Sequence, residues 1–307
     1  SLAETFEQIE DDLVKAEELV TTAGVPNSAY ITKDVVRALR ARVALEKEDY
    51  QGAISAATSL IGSGTYPLMT DAAAYADMWL HDNGTEAIWQ FAMIKGQETG
   101  PNTLGSAFSG IIDVLPRPSY IPTTTVLNLY DQENDIRYAA YFTYDSIDAQ
   151  SVSDFMLTYC KKWPGNPELY DGKSNNVNKT KAFRISEMYL IAAEAYAMSG
   201  DETNASKILN ELKAARIKGW SEKTYSGNAL MKEIQNEYVR ELFAEDPHIF
   251  NMKRWKVGLN RSQVVSYLPA LGTDMVKPAD NHMWVWPIPK EEIDSNPQIK
   301  GQQNEGY

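Results

Sequence analysis

The sequence predicts a mostly α-helical protein built from TPR-like helix hairpins joined by long irregular loops. Three observations carry this. Apolar residues recur at helical spacing in several separate segments. One hairpin pattern occurs twice, at residues 32–62 and 183–217. Between the copies, residues 64–182 show short apolar runs, many turn residues and aromatics with no helical period.

Residues 4–20 place Phe6, Ile9, Leu13, Ala16 and Val20 on one face of a helix with acids on the other, and Gly24, Pro26 and Asn27 end it. Thr32 is the expected N-cap of the next helix, with Asp34 in its first turn. A second helix is expected over Tyr50–Ile61, stopped by Gly62 and Gly64. Ala41, Asp49, Ala53 and Leu60 align with Ala193, Asp201, Ala205 and Leu212 at a constant offset of 152. Alanines let two helix backbones approach closely, and an Asp at the turn can cap the second helix. In the middle region, Ala87–Met93 reads as a short strand or an extended segment, Pro122–Tyr130 as the start of a short helix capped by Thr123–Thr125, Phe155–Trp163 as an extended run, and 164–181 as loop. Ala229–Glu245 is an amphipathic helix with Leu230, Ile234, Val239, Leu242 and Phe243 along its buried stripe and Pro247 at its end. A short helix follows at Phe250–Trp255, and the tail from Asn281 is rich in aromatics and prolines. One domain over 1–307 is expected, in four parts: helices and first hairpin at 1–63, a ligand region at 64–182, second hairpin and following helices at 183–255, and an extended strap at 256–307.

Composition excludes several functions. Asp and Glu number 42 against 29 Lys and Arg, a net charge of −13. Phosphate recognition needs a basic face, so nucleic acid is not expected as a partner. No apolar run approaches the roughly 18 residues of a membrane-spanning helix. His81, His248 and His282 are far apart, and neither zinc-ligand spacing nor a nucleotide-binding glycine motif occurs, so no metal or cofactor is expected. The one cysteine, Cys160, lies in an apolar run and reads as a small buried hydrophobe.

Four stretches together resemble the SusD/RagB family of surface glycan-binding lipoproteins from Bacteroidetes. They are Lys33–Ala53, Arg184–Gly200 (RISEMYLIAAEAYAMSG), Glu237–Trp255 (EYVRELFAEDPHIFNMKRW) and Trp286–Tyr307 (WPIPKEEIDSNPQIKGQQNEGY). Val239, Asp246-Pro247 and Asn251 depart from the pattern, all in a structural segment. The resemblance implies non-catalytic binding of an oligosaccharide or polysaccharide and its delivery to a SusC-type TonB-dependent transporter. It also implies an outer-membrane, surface-exposed lipoprotein. Members usually carry a further N-terminal portion with a lipidated cysteine, so the chain is expected to be a fragment or a short member, attached to membrane only through that absent anchor.

Glu187 and Glu194 lie two turns apart on one helix face, a spacing that could suggest a glycosidase acid and base. They read instead as partners of neighbouring arginines such as Arg184 and Arg240, and Glu237, Glu241 and Arg254 likewise. Aromatics in loops are the expected sugar contacts, because a flat ring stacks on the C–H face of a sugar. The ligand-binding candidates are Trp79 with His81, Asp82 and Asn83; Tyr120 with Arg117; Trp163 with Asn166; and Tyr170 with Asp171 and Asn175. Trp89, Trp284 and Trp286 read as core, and Trp220 is open between the two. The alternative is a TPR-like protein-interaction scaffold with no glycan site. The two readings part on whether the loop aromatics are exposed together on one face.

Overall fold

In the computed structural model of the chain, the described residues are 1–96, 103–108, 111–112, 115–116, 118–147, 155–172, 176–245, 248–261 and 275–307. They form two compact units, Ser1–Glu245 and Asp246–Tyr307. In chain order the first unit holds α1 (Leu2–Leu19), α2 (Lys33–Glu46), α3 (Tyr50–Gly62), α4 (Ala72–Leu80), β1 (Ala87–Gln90), α5 (Leu104–Phe108), β2 (Ile111–Ile112) and β3 (Leu115–Pro116). There follow α6 (Thr124–Leu127), α7 (Ile136–Tyr141), β4 (Phe142–Ile147), β5 (Phe155–Cys160), β6 (Lys181–Arg184), α8 (Ile185–Met198), α9 (Glu202–Arg216) and α10 (Gly227–Glu241). The protein is mostly helical, and every sheet among the described residues has two strands.

The two predicted hairpins are α2–α3 and α8–α9. Their turns are built alike. The Asp49 carboxylate accepts from the Gly52 amide at 3.0 Å, and the Asp201 carboxylate from the Asn204 amide at 3.1 Å. Each satisfies a helix N–H that has no partner within the helix. Ala41, Ala193, Ala53 and Ala205 are all fully buried. Val35, Ala38, Leu45, Ala57 and Leu60 of the first hairpin pack on Met188, Ile191, Ala192 and Ala195 of α8. Small residues at these crossings let α3 lie against α8, so the two hairpins stack as neighbouring repeats. The expected first helix forms, but no residue of α1 is fully buried. It is tied to α2 by ion pairs of Glu17 with Arg37 (2.8 Å) and Arg40, and to the α2–α3 turn by Glu10 with Lys47 (2.6 Å).

The middle region holds more regular structure than its composition suggests. Helices α4 and α7 pack together, and β4 pairs with β5 as an antiparallel ribbon from Phe142↔Cys160 to Ile147↔Phe155. Strand β1 pairs antiparallel with β6, Ala87 opposite Arg184. The Ile185 amide donates to the Glu86 carbonyl at 2.9 Å, so this short ladder brings residue 86 to the start of α8.

Helix α10 ends at Glu241, four residues before the expected Glu245; Asp246 and Pro247 lie outside the described residues. The chain leaves the helix at Leu242, and Ala244 adopts a positive φ of 60°. The turn is held by buried donors: the Lys162 ammonium to the Phe243 carbonyl (2.7 Å) and the Trp163 indole N–H to the Ala244 carbonyl (2.9 Å). The buried face of α10 is also not purely apolar, since Glu237 and Glu241 lie on it beside Leu230, Ile234 and Tyr238.

In the second unit α11 spans Ile249–Arg254, β7 (Leu259–Asn260) pairs with β8 (Val276–Lys277), and α12 spans Lys290–Ser295. The tail folds back on itself. The Gln303 carboxamide accepts from the Ile288 amide (2.8 Å) and donates to the Ile288 carbonyl (3.1 Å). Asn304 donates to the Trp286 carbonyl, and the Tyr307 hydroxyl to the Val285 carbonyl. The residues of the Q-N-x-G-Y ending thus hold the W-P-I segment by its backbone. The Trp286 side chain is exposed and Trp284 half-buried, which corrects their expected place in the core.

Candidate functional site

The aromatic candidates separate into interior and surface pairs. Trp79 and Trp163 are each 1% exposed. They correct the expected ligand set, because a buried indole offers no face to a sugar. Their rings meet edge to face at 5.2 Å, and Trp79 makes a second edge contact with Tyr141 at 5.8 Å. The Lys162 ammonium lies 4.3 Å from the Trp79 ring and 3.8 Å from the Tyr141 ring, and Lys181 lies 4.9 Å from Trp79. Desolvated cations over rings attract the π-face more strongly than exposed ones. Of the polar residues expected to read hydroxyls beside these tryptophans, Asp82 and Asn166 are buried as well. Asp82 accepts from Asn166 (2.9 Å) and Lys181 (3.0 Å). His81 bonds Asp77 at 2.5 Å, and Asn83 is exposed.

Around this aromatic layer lies a fully buried charge network. Glu241 accepts from Arg137 (2.9 Å), Arg184 (2.8 Å) and Arg216 (2.9 Å). Glu86 accepts from Arg184 (3.0 Å) and Arg216 (2.8 Å). Glu237 accepts from Arg137 (2.5 Å) and Arg240 (2.6 Å), and Glu245 from Lys162 (2.6 Å) and Arg184 (2.7 Å). Burial alone would raise these carboxyls. Arg137, Arg240 and Lys213 nevertheless carry Glu237 down to about 2, and Arg216, Arg184 and Arg137 hold Glu241 well below the usual range. Burial brings Lys162 down to about 8 against the pull of Glu245. Glu187 pairs with Arg42 at 2.7 Å rather than with Arg184 or Arg240, and Glu194 is buried. Burial pushes the Cys160 thiol up to about 11, as its apolar surroundings predict.

Tyr120 and Tyr170 are on the surface, 61% and 48% exposed. Tyr170 follows a single 3-10 turn, Pro167–Leu169, whose cap is Asn166. Tyr120 belongs to a built site. Helix α5 starts at Thr103, whose hydroxyl accepts from the Ser106 amide (3.1 Å), and it ends at Phe108. The Ser119 amide donates to the Ala107 carbonyl (3.0 Å), pinning the loop that carries Tyr120 to that helix. Three residues beyond Tyr120, Thr123 caps α6. The Phe108 and Tyr120 rings consequently stand 5.7 Å apart at 45°. With Ile121 and Phe243 they line a pocket of about 250 Å³. Phe243 sits on the turn after α10 and packs on buried Phe142 at 5.0 Å. The Lys162 bond to its carbonyl therefore connects the interior network to the pocket wall. Arg117 and Asn175, the expected companions of Tyr120 and Tyr170, lie outside the described residues.

Phe108 and Phe243 are absent from the sequence-derived candidates. Phe243 reads as part of a helix stripe until the early end of α10 turns it outward. A second groove, about 670 Å³, lies between α1, α2 and α3. No aromatic residue lines it, and its Glu17, Arg37 and Arg40 pair with one another, so it offers a sugar ring no stacking partner. Half-buried Trp89 packs between Phe91 (4.9 Å) and Phe183 (6.3 Å). Trp220 donates to Asn210 (3.1 Å), with Lys213 and Lys223 over its ring.

The sequence profile of the SusD family matches residues 133–307. A SusD-like protein of Formosa agariphila is 24% identical over 250 residues, which cover 70% of this chain and 48% of that protein. Among solved structures, a SusD superfamily protein from Bacteroides thetaiotaomicron superposes with a TM-score of 0.79 at 25% identity, covering 98% of this chain and 66% of the other. A SusD-like carbohydrate-binding protein from Bacteroides vulgatus gives 0.76 at 19% identity, covering 99% and 67%. Surface glycan-binding protein A from Bacteroides fluxus gives 0.69 at 21% identity, covering 100% and 70%. The last two likenesses concern the fold. The chain spans about half the length of the curated relative and about two thirds of the first solved one.

Proposed function

The chain belongs to the SusD family, and from that premise we propose that it is a non-catalytic carbohydrate-binding protein whose Phe108–Tyr120 pocket holds the glycan. The observation that carries this reading is the exposure of Tyr120 beside Phe108 over an apolar pocket with a fixed wall. An aromatic ring held in place stacks on a sugar at little entropic cost. Tyr170, also exposed, is offered as a further sugar contact. The acidic residues Glu187, Glu237 and Glu241 are each paired with arginines, which supports binding without hydrolysis. Glycosidic cleavage would need two carboxyls about 5–10 Å apart across a cleft open to the sugar. In the whole protein, the glycan is captured at the outer-membrane surface by a lipid-anchored chain and passed to a SusC-type TonB-dependent transporter.

The test is affinity electrophoresis and calorimetry against a broad polysaccharide panel. At least one polysaccharide is expected to bind, with Tyr120→Ala weakening it about ten-fold, a change that corresponds to about 1.4 kcal/mol. No turnover of chromogenic glycosides is expected. A blank panel with the complete protein would sink the glycan reading. It would leave a helix-hairpin scaffold for protein partners, a reading supported by the α1–α2–α3 groove and the exposed Leu2, Val14 and Leu19 of α1.

A further inference from the structure

Resting on the glycan reading, we propose that the Phe108–Tyr120 pocket selects uncharged glycans whose sugar units carry a projecting methyl group. That methyl is either C6 of a 6-deoxyhexose or the end of an acetyl substituent. Shape is the first argument. A sugar's flat C–H face is matched by rings in one plane, but Phe108 and Tyr120 are inclined at 45°, and Ile121 and Phe243 add further walls. The result is a cleft that receives a protruding group rather than a platform. Size agrees with this. At about 250 Å³ the pocket is smaller than the roughly 300–1,000 Å³ of sites that enclose a whole small-molecule ligand. It takes part of a chain, one substituent and the edge of its ring.

Chemistry narrows the class. Of the four lining side chains among the described residues, only Tyr120 carries a polar atom, at the ring's far end. A hydroxymethyl group placed between the rings would give up its water for no partner, whereas a methyl gives up nothing. Among the described residues the lining side chains carry no cation to offset a carboxylate or sulfate, and the chain's net charge of −13 opposes anionic polymers. Rigidity makes the discrimination usable. Phe243 is fixed from behind by Phe142 at 5.0 Å and by Lys162 on its carbonyl at 2.7 Å, so the wall does not withdraw to admit water beside a hydroxyl.

The experiment uses the whole chain and two matched ligand pairs, measured by calorimetry. One pair is acetylated glucomannan and the same polymer after alkaline deacetylation. The other is a fucosylated xyloglucan oligosaccharide and its defucosylated form. A preference of about ten-fold or more for the methyl-bearing member is expected in at least one pair, the lower end of what one buried methylene decides in an apolar pocket. The pair showing it identifies the source of the methyl. Ile121→Ser, at a partly exposed wall position, is expected to erase the preference while the fold is retained, as checked by circular dichroism. Equal binding within both pairs, still weakened by Tyr120→Ala, would overturn the methyl selection and leave the glycan reading intact. A preference that survives in both Ile121→Ser and Phe108→Ser would also overturn it. Failure of every ligand in the wider panel would remove the glycan reading itself.

Discussion

Trp79 and Trp163 on one side, and Phe108 and Tyr120 on the other, are aromatic pairs from the same irregular part of the chain with opposite environments. The tryptophans are closed in by Tyr141, Lys162 and Lys181. The second pair faces outward, with Tyr120 61% exposed. The difference lies in which partners arrive from elsewhere. The tryptophan layer receives cations from β6 and from the segment after β5, and those cations bring Asp82 and Glu245 with them. Among the described residues the outward pair receives only Ile121 and Phe243. An aromatic that meets a buried cation becomes structure, and one that meets only other apolar walls stays available to a ligand.

The comparison breaks most sharply at Glu241, which joins three arginines in the interior network. Glu241→Gln keeps the shape and removes the charge. A buried pair that loses one partner leaves an uncompensated ion, a cost of about 3–5 kcal/mol. Urea denaturation should show that loss, and Tyr120-dependent glycan binding should fall with it, because the turn bearing Phe243 begins one residue on. If the stability of Glu241→Gln stays within about 1 kcal/mol of the parent, the network is not what holds the interior aromatics.

The same network gives stability an acid limit. Glu237 titrates at about 2 in the folded state against an ordinary 4.5. A carboxyl depressed on folding contributes its full stability above about pH 4.5, and that contribution is lost as pH falls from there to about 2. The span corresponds to roughly 3 kcal/mol. Denaturation midpoints taken from pH 6 to 2.5 should fall steeply below 4.5, and Glu237→Gln should flatten part of the slope. An unchanged slope in that variant would place the acid sensitivity on other carboxyls.

The hairpins predict a smaller and more local effect. Asp49→Ala removes one capping bond at the α2–α3 turn and should lower stability by about 1 kcal/mol. Asp201→Ala should cost at least as much, since Asp201 accepts from the Asn204 side chain as well as from its amide. A smaller loss at Asp201 than at Asp49, measured by thermal unfolding, would mean that the second cap is not what holds its turn.

How far the sequence could be read follows the same division. Asp49, Asp201 and the paired alanines were legible because capping and close helix packing depend on residues a few positions away. Thr32 and Thr123 were legible for the same reason. Trp79 and Trp163 were not, because their burial depends on each other and on Tyr141 and Lys181, which the fold brings in from other segments. An aromatic in an irregular segment is the same signal whether it is covered or open. Phe243 was hidden by a different cause. Its spacing continues the α10 stripe, and only donors from Lys162 and Trp163 to the carbonyls of the following turn end the helix early. Glu237 and Glu241 carried the one warning available, two acids on the buried stripe of an otherwise regular amphipathic helix. Such acids require buried cations, and buried cations draw aromatics inward.

The smallest expected change in stability is at Tyr120, and it is the sharpest test of the contrast. Tyr120 is 61% exposed with its ring against Phe108, and the backbone that positions it is held by the Ser119–Ala107 bond rather than by its ring. Tyr120→Ala should therefore leave the unfolding midpoint within about 0.5 kcal/mol of the parent, as is usual for surface substitutions. Trp163→Ala, by contrast, removes a buried indole together with its bond to the Ala244 carbonyl. It should cost about 3–5 kcal/mol. In Tyr120→Ala, lost glycan binding with unchanged stability assigns the ring to the ligand. Stability lost in equal measure would mean that the Phe108–Tyr120 contact is part of the core after all. Both aromatic pairs would then be structural, and the search for the sugar contact would move to Tyr170.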